Sequence, residues 1–575
     1  MKKAFSIAGP LLFAFGLFYI SQVLTNTAVS GPSVGVEQNI TLCATGAGIV
    51  TAGADGKFIP VLPGVGNLRY AVATASDSAQ VYFNQGLGFY YGYHFTEALA
   101  SFKEASRFDP ACAMAYWGQA LSMGPYYNTY VYKMRKEVPE ALALMQKNSA
   151  TASPKEKELM EAMQRRYSND LTNADRRQLD RSYAEALALL TKKYPQDDNI
   201  QALYVDAVML EHKWDFWDHE GNPRPWTSEL VDVCQTVLNR SPRHPAMLHY
   251  FIHLTEASRH PDQALFTAGP LKEGSSGIGH MVHMATHVYQ RNGLYERGVK
   301  VNEEANAVNN EIDRLAPSLK LGRDKSIHFF AVQSYCALTA GMYSQGLPLY
   351  QRARQRQIDT APVFEKDTYA QFVYMIPVMA RARLGKWDEV LQAPAPDTRW
   401  SYAVVLDNFA KGLAHVRRKD LAQARQCLDK ITAAMADSLL TVRLMPFNSP
   451  LQSCKIASGI LKGELLYAEG NTTAALESFQ QAVDAEDHLV YREPQDWLIP
   501  ARQYLGHCLL KQRKPAEAEK VYQQDLALNP GNGWSLLGMH QALSAQKKPR
   551  EAALYKDKYM EAFKAADVKP EASVF

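Results

Sequence analysis

Seven of the chain's fifteen histidines fall between residues 244 and 287. Two stretches carry six of them, HPAMLHYFIHLTE at 244–256 and GHMVHMATHVY at 279–289. Each sets two imidazoles four residues apart, His249 with His253 and His283 with His287. On a helix, positions i and i+4 share a face, with Cβ atoms about 5–6 Å apart. An imidazole nitrogen binds a transition metal at about 2.0–2.1 Å. The pairs are also in register, since His249 to His283 and His253 to His287 are both steps of 34 residues. Helices that pack roughly 8–10 Å apart bring such pairs within reach of each other. These four histidines are therefore expected to meet at one ion. His280 and His328, each at the second position of its helix, and Glu256, on the face of His249 and His253, are expected beside it. They would complete the ligand set, orient the imidazoles or hold a second ion.

A nitrogen-dominated site suits zinc or copper, with iron a further candidate, and argues against calcium or magnesium. HExxH is absent, because Tyr250 and Met284 follow the first histidine of each pair, so the zincin mechanism is unsupported. Three imidazoles and a water would make an open, reactive site with Glu256 as general base, whereas four would close it. A repeat array already holds its helices by packing, which favours a catalytic ion, hydrolytic through a bound water or oxidative with copper or iron. The alternative is a non-enzymatic scaffold that grips a peptide, protein or small molecule in a groove. Met281 and Met284 read as core filler. His94, His244, His260 and His507 read as caps, turns or packing, and His212 and His219 as exposed flanks of a Trp-rich loop. No GxSxG, Walker or dinucleotide motif competes.

The elements that must position these residues are helical and repeated. Tyr82, Gly86 and Phe89, then Ala98, Phe102, Ala105 and Pro110, follow the tetratricopeptide pattern of small and large residues on two packed helices. It returns at Leu505, Gly506, Ala518, Tyr522 and Pro530, and at Gly463, Ala475, Phe479 and Ala482, with weaker copies from Gly341 and Gly412. The expected fold is an all-α tetratricopeptide-type solenoid of about eight to eleven helix pairs, its concave face lined by the first helix of each pair. Residues 31–77 form an extended lead-in with a strand or two. Residues 78–243 hold the first repeats and the Trp-rich loop WDFWDHEGNPRPW, a length that often carries function. Residues 244–355 hold the histidine repeats, and 356–565 the last repeats.

Lys2 and Lys3 precede an uncharged run from Ala4 to Leu24, and Ala28-Val29-Ser30 resembles a cleavage site. Residues 1–30 are expected to be a signal peptide or an N-terminal membrane anchor, with the body exported to the periplasm or cell envelope. Sixty-two basic and fifty-nine acidic residues leave a net charge of +3, with no basic stripe for nucleic acid. The seven scattered cysteines include no CxxC, and read as buried single thiols.

The segments FNQGLGFYYGYHFTEALASFKEASRFDP, HPAMLHYFIHLTEAS, GHMVHMATHVYQRNGLY and REPQDWLIPARQYLG, with NPGNGW, resemble a family of large exported bacterial tetratricopeptide-repeat proteins with paired HxxxH helices. The resemblance covers about 78–560 and implies an all-helical protein with histidines gathered in its middle. It makes His249, His253, Glu256, His280, His283 and His287 the family's polar cluster. Glu493, Trp497, Arg502, Asn532 and Trp534 are its C-terminal signature, expected to cap repeats or, if the solenoid curls tightly, to close over the histidines. Two departures stand out. Ala285-Thr286 replace the family's usual Pro-Ser, and Arg323-Asp324-Lys325-Ser326-Ile327 replaces a Pro-His-Asn, which puts the contribution from the His328 region in question.

Overall fold

The computed structural model describes residues 48–575, apart from 67, 129–131, 170–174, 320–325, 361–364 and 444–446. The expected signal or anchor segment, Cys43 and the start of the departure at Arg323 lie outside the described residues. Everything described belongs to one compact unit, Ile40–Phe575. It holds twenty-four α-helices and, among the described residues, no strand. The lead-in expected to contain a strand or two is irregular over 48–76. It is pinned by side chains and loops instead, with Leu62 N–H donating to Gln85 Oε1 and Gly277 N–H to the Gly64 carbonyl. No described helix is long and apolar enough to cross a membrane.

The helices come in hairpins. α1 (Asp77–Tyr91), α2 (Phe95–Phe108) and α3 (Ala113–Ser122) show why. Phe102 on α2 fills the space left by Gly86 on α1 and Gly118 on α3, where an added Cβ would lie 2.9 and 2.3 Å from its ring. The site helices follow: α4 (Pro245–Thr255), α5 (Gly279–Arg291), α6 (Tyr295–Leu315) and α7 (Ser326–Thr339). Near the C-terminus, α8 (Ala501–Lys511), α9 (Pro515–Leu528) and α10 (Gly533–Ala545) repeat the packing, with Tyr522 between Gly506 and Gly538.

One turn recurs between hairpin helices. A residue in the left-handed region ends the first helix, and the next N–H reaches back to the carbonyl five residues earlier, the hydrogen-bond pattern of a Schellman cap. Tyr93, Gly293, Gly341, Gly385, Lys419, Gly470, Arg513 and Lys547 occupy it. Eight hairpins among the described residues close with this turn.

The array curls until distant repeats touch. Gly293 after α5 meets Gly531 before α10, where a Cβ on Gly531 would lie 2.9 Å from the Gly293 Cα. Arg291 donates to the Leu528 carbonyl, and Trp534 Nε1 donates to the Thr339 carbonyl at 2.9 Å. The C-terminal repeats therefore close over the histidine helices.

Candidate metal centre

Pro245 at the start of α4 and the His244 cap, whose Nδ1 accepts from Met247 N–H at 3.4 Å, fix where the helix begins. That start sets His249 and His253 on its inner face. α5 contributes His280, His283 and His287, and α7 contributes His328. All six imidazoles are buried, with exposures from 0% to 4%. Aromatic rings wall them in. Tyr93, the left-handed residue of the first turn, stands 4.6 Å from His249 between ring centroids, and Phe329 stacks on His283 at 3.9 Å.

The outer nitrogens of four imidazoles face acceptors. Nδ1 of His249 donates to the Tyr91 carbonyl at 2.7 Å, a group that can only accept. Nδ1 of His253 meets Glu256 Oε1 at 3.1 Å. Nδ1 of His283 meets Asn302 Oδ1 at 2.6 Å, and the Asn302 amide N–H donates to the Gly298 carbonyl, which holds that oxygen toward the imidazole. Nδ1 of His287 touches Glu493 Oε2. A proton on Nδ1 leaves Nε2 with a bare lone pair. Among the described residues Nε2 of His253 and His283, Nδ1 of His280 and both nitrogens of His287 and His328 have no hydrogen-bond partner. Nε2 of His249 faces Nε2 of His280 at 3.0 Å. Burial holds five of the imidazoles neutral: it pushes His249 down to about 3 and lowers His253, His280, His283 and His328 well below the usual range.

These nitrogens do not converge on one point. They form two groups, His249 with His253 and His280, and His283 with His287 and His328, each with one ligand atom per residue and all atoms within 4.8 Å of one another. The four-histidine convergence expected from the register is corrected accordingly. The i,i+4 pair of each helix is completed by a histidine of the following one, because the sideways step between neighbouring helices brings position two of the next nearest. A third group joins Glu256, His287 and Glu493. Burial and the nearby Glu493 carboxylate raise Glu256 well above the ordinary carboxylate range, opposed by Arg291.

Glu493 is the C-terminal signature residue that reaches the histidines, on a loop carried there by the curl. Trp497 is core, with its Nε1 donating to the Ile499 carbonyl and its ring against Phe409. Arg502 forms a two-pronged pair with Asp487, Asn532 caps α10 by accepting from Trp534 N–H, and Trp534 packs beneath Arg383. None of these four belongs to the histidine groups; Trp497 and Arg502 line the neighbouring cleft, and Trp534 takes part in the closure.

The site is not the floor of an open groove. A cleft of about 990 Å³ ends on His253 and Glu256, with Trp214, Trp217, Arg291, Tyr491 and Arg492 in its walls. The Trp-rich loop thus forms one wall: Trp217 Nε1 donates to the Leu254 carbonyl at 2.7 Å, and Trp214 stands edge-on to His253. His212, expected to be exposed, stacks on Trp226 at 3.7 Å, while His219 is 47% exposed in its side chain. His94 is buried, bridging Glu97 and the His280 backbone N–H. Asn302, Tyr93 and Arg291 escaped sequence reasoning. Asn302 lies nineteen residues beyond His283 on a different helix, and no local spacing marks it. The six described cysteines are free and buried.

No family model matches the chain, and no curated protein matches it. Solved structures with similar helical arrangements include a human IFIT1 dimer with m7Gppp-AAAA, 11% identical over 86% of this chain and 91% of that one, at a TM-score of 0.31. Another is the APC/C hetero-tetramer Cut9–Hcn1, 13% identical over 84% and 87%, at a TM-score of 0.28. At these scores the likeness says nothing about what the chain binds.

Proposed function

We propose that this chain is an exported helical-repeat metalloprotein whose buried imidazoles hold a transition metal, zinc or copper foremost. The observation that supports this reading is the state of the ring nitrogens. His249, His253 and His283 each turn Nδ1 outward to an acceptor, and the nitrogens aimed inward are buried with few or no protein partners. Each buried polar atom left unpaired costs about 1–3 kcal/mol, so a cluster of them needs a resident that accepts lone pairs. A metal cation is such a resident, and imidazoles oriented from behind by carbonyl or carboxylate oxygens are the usual way to hold one. A bound ion would supply Lewis acidity or electron transfer. The chain's own residues do the rest. Glu256, biased toward its protonated form and adjoining the cleft, is positioned to hold or release a proton there. The Trp214 and Trp217 wall and the curl of the C-terminal repeats limit water at the histidines.

The test is titration of chelator-stripped full-length protein with Zn(II) and Cu(I) or Cu(II), followed by calorimetry and thermal melting. Saturable binding with a raised melting temperature supports the reading, and no binding beyond that of a His249/His253/His283/His287→Ala variant refutes it. Recovery of the protein from the export compartment tests its location.

The cleft favours a second reading, a scaffold for an acidic partner. Arg259 and Arg291 line it, hydrogen-bond only carbonyl oxygens and form no ion pair among the described residues. Burial also pushes the neighbouring Glu486 up to about 8, which removes a negative charge near neutral pH. An acidic peptide that binds equally well after Arg259→Ala and Arg291→Ala would dismiss this reading.

A further inference from the structure

Resting on the metalloprotein reading, we infer that the chain holds two transition-metal ions in two equivalent all-imidazole sites, the second generated from the first by one step of the helical repeat.

The equivalence is visible in position, shape and surroundings. In the first group, His249 and His253 come from α4 and His280 from the start of α5. In the second, His283 and His287 come from α5 and His328 from the start of α7. Moving one hairpin along carries each ligand to its counterpart. The geometry is reproduced as well. The i,i+4 ring centroids are 4.8 Å apart in the first group and 4.6 Å in the second. The leading histidine and the one from the next helix are 4.8 and 5.0 Å apart. The remaining pairs are 6.1 and 5.6 Å apart.

The orienting partners repeat too. In both groups Nδ1 of the leading histidine faces a neutral oxygen, the Tyr91 carbonyl or the Asn302 amide. In both, Nδ1 of the trailing histidine faces a carboxylate, Glu256 or Glu493. These acceptors come from four separate segments: Tyr91 ends α1, Glu256 follows α4, Asn302 lies on α6, and Glu493 arrives from the C-terminal repeats. Chance polarity in a core would not set the same pair of acceptors behind both groups. The groups adjoin on α5, where the His280 and His283 centroids are 6.1 Å apart. Each offers three imidazoles and no thiolate, a donor set for copper, zinc, nickel or ferrous iron.

The experiment is metal analysis of full-length protein, stripped and then equilibrated with excess Cu(II) or Zn(II) followed by desalting, beside His280→Asn and His328→Asn variants. These changes remove one ligand from one group and keep a polar side chain, and far-UV circular dichroism and gel filtration select folded material. The expected result is two ions per chain in wild type and one in each variant. For the Cu(II) protein, dipolar coupling between the two ions should vanish in both variants. This wild-type readout needs no substitution to fold. One ion per chain in wild type overturns the inference while leaving a mononuclear metalloprotein. No ion overturns both readings. Two ions that both persist, or are both lost, in one folded variant overturn the assignment of separate triads.

Discussion

Asn302 gives the sharpest test of how the imidazoles are held. Its side-chain oxygen accepts from His283 Nδ1 at 2.6 Å, and its amide N–H is anchored on the Gly298 carbonyl, so the imidazole tautomer is set from behind. Asn302→Leu keeps roughly the same volume in a position only 1% exposed, but leaves a buried N–H without an acceptor. That omission costs about 1–3 kcal/mol in the metal-free fold. Loss of an outer hydrogen-bond partner usually weakens metal binding about 10- to 100-fold, equivalent to about 1.4–2.7 kcal/mol. Asn302→Asp keeps the acceptor and makes it anionic, so affinity should hold or rise. The assay is equilibrium competition between stripped protein and a chromophoric chelator, with urea melts run in parallel. A folded Leu variant within about twofold of wild-type affinity, or an Asp variant as weak as the Leu variant, would refute the orienting role of Asn302.

Metal-free protein should lose stability in mild acid. Unfolded histidines titrate near 6.5, while burial keeps His249, His253, His280, His283 and His328 neutral to lower pH. The unfolded chain therefore takes up protons first, and each such histidine removes about 1.4 kcal/mol between pH 7.5 and 5.5, up to about 7 kcal/mol for five. Urea melts that do not weaken across this interval would contradict the burial of neutral imidazoles. Gly531→Ala should open the closure, since φ is +71° and the new Cβ would meet Gly293. A loss of about 1–3 kcal/mol and faster proteolysis near residue 293 are expected, and unchanged cleavage would mean that the contact does not hold the repeats together. Gly118→Leu should cost at least as much by invading the Phe102 ring, read by thermal melting.

The helical hairpins were readable from the sequence because small and large residues recur at positions that two packed helices require. Phe102 between Gly86 and Gly118 is the local rule in physical form. The candidate ligands were readable for a related reason. His249, His253, His283 and His287 share a repeat register, and His280 and His328 share another. Their division into two groups was not readable, because it depends on the sideways offset between neighbouring helices, which tertiary packing sets. Glu493 could be named by resemblance but not placed, since its approach to His287 depends on the curl that joins Gly293 to Gly531. Asn302 and Tyr93 carried no signal at all. One is an ordinary polar residue on a neighbouring helix, and the other is an aromatic residue in a turn position more often given to glycine.

The most direct measurement is the metal content, by mass spectrometry, of protein purified without added metal from the compartment in which it resides, beside the His249/His253/His283/His287→Ala variant. Near-stoichiometric zinc, copper or iron in the wild type and none in the folded variant is the expected result. Wild-type protein that is metal-free as purified and stays empty after reconstitution would contradict the account and leave the imidazoles as buried polarity in a helical-repeat scaffold.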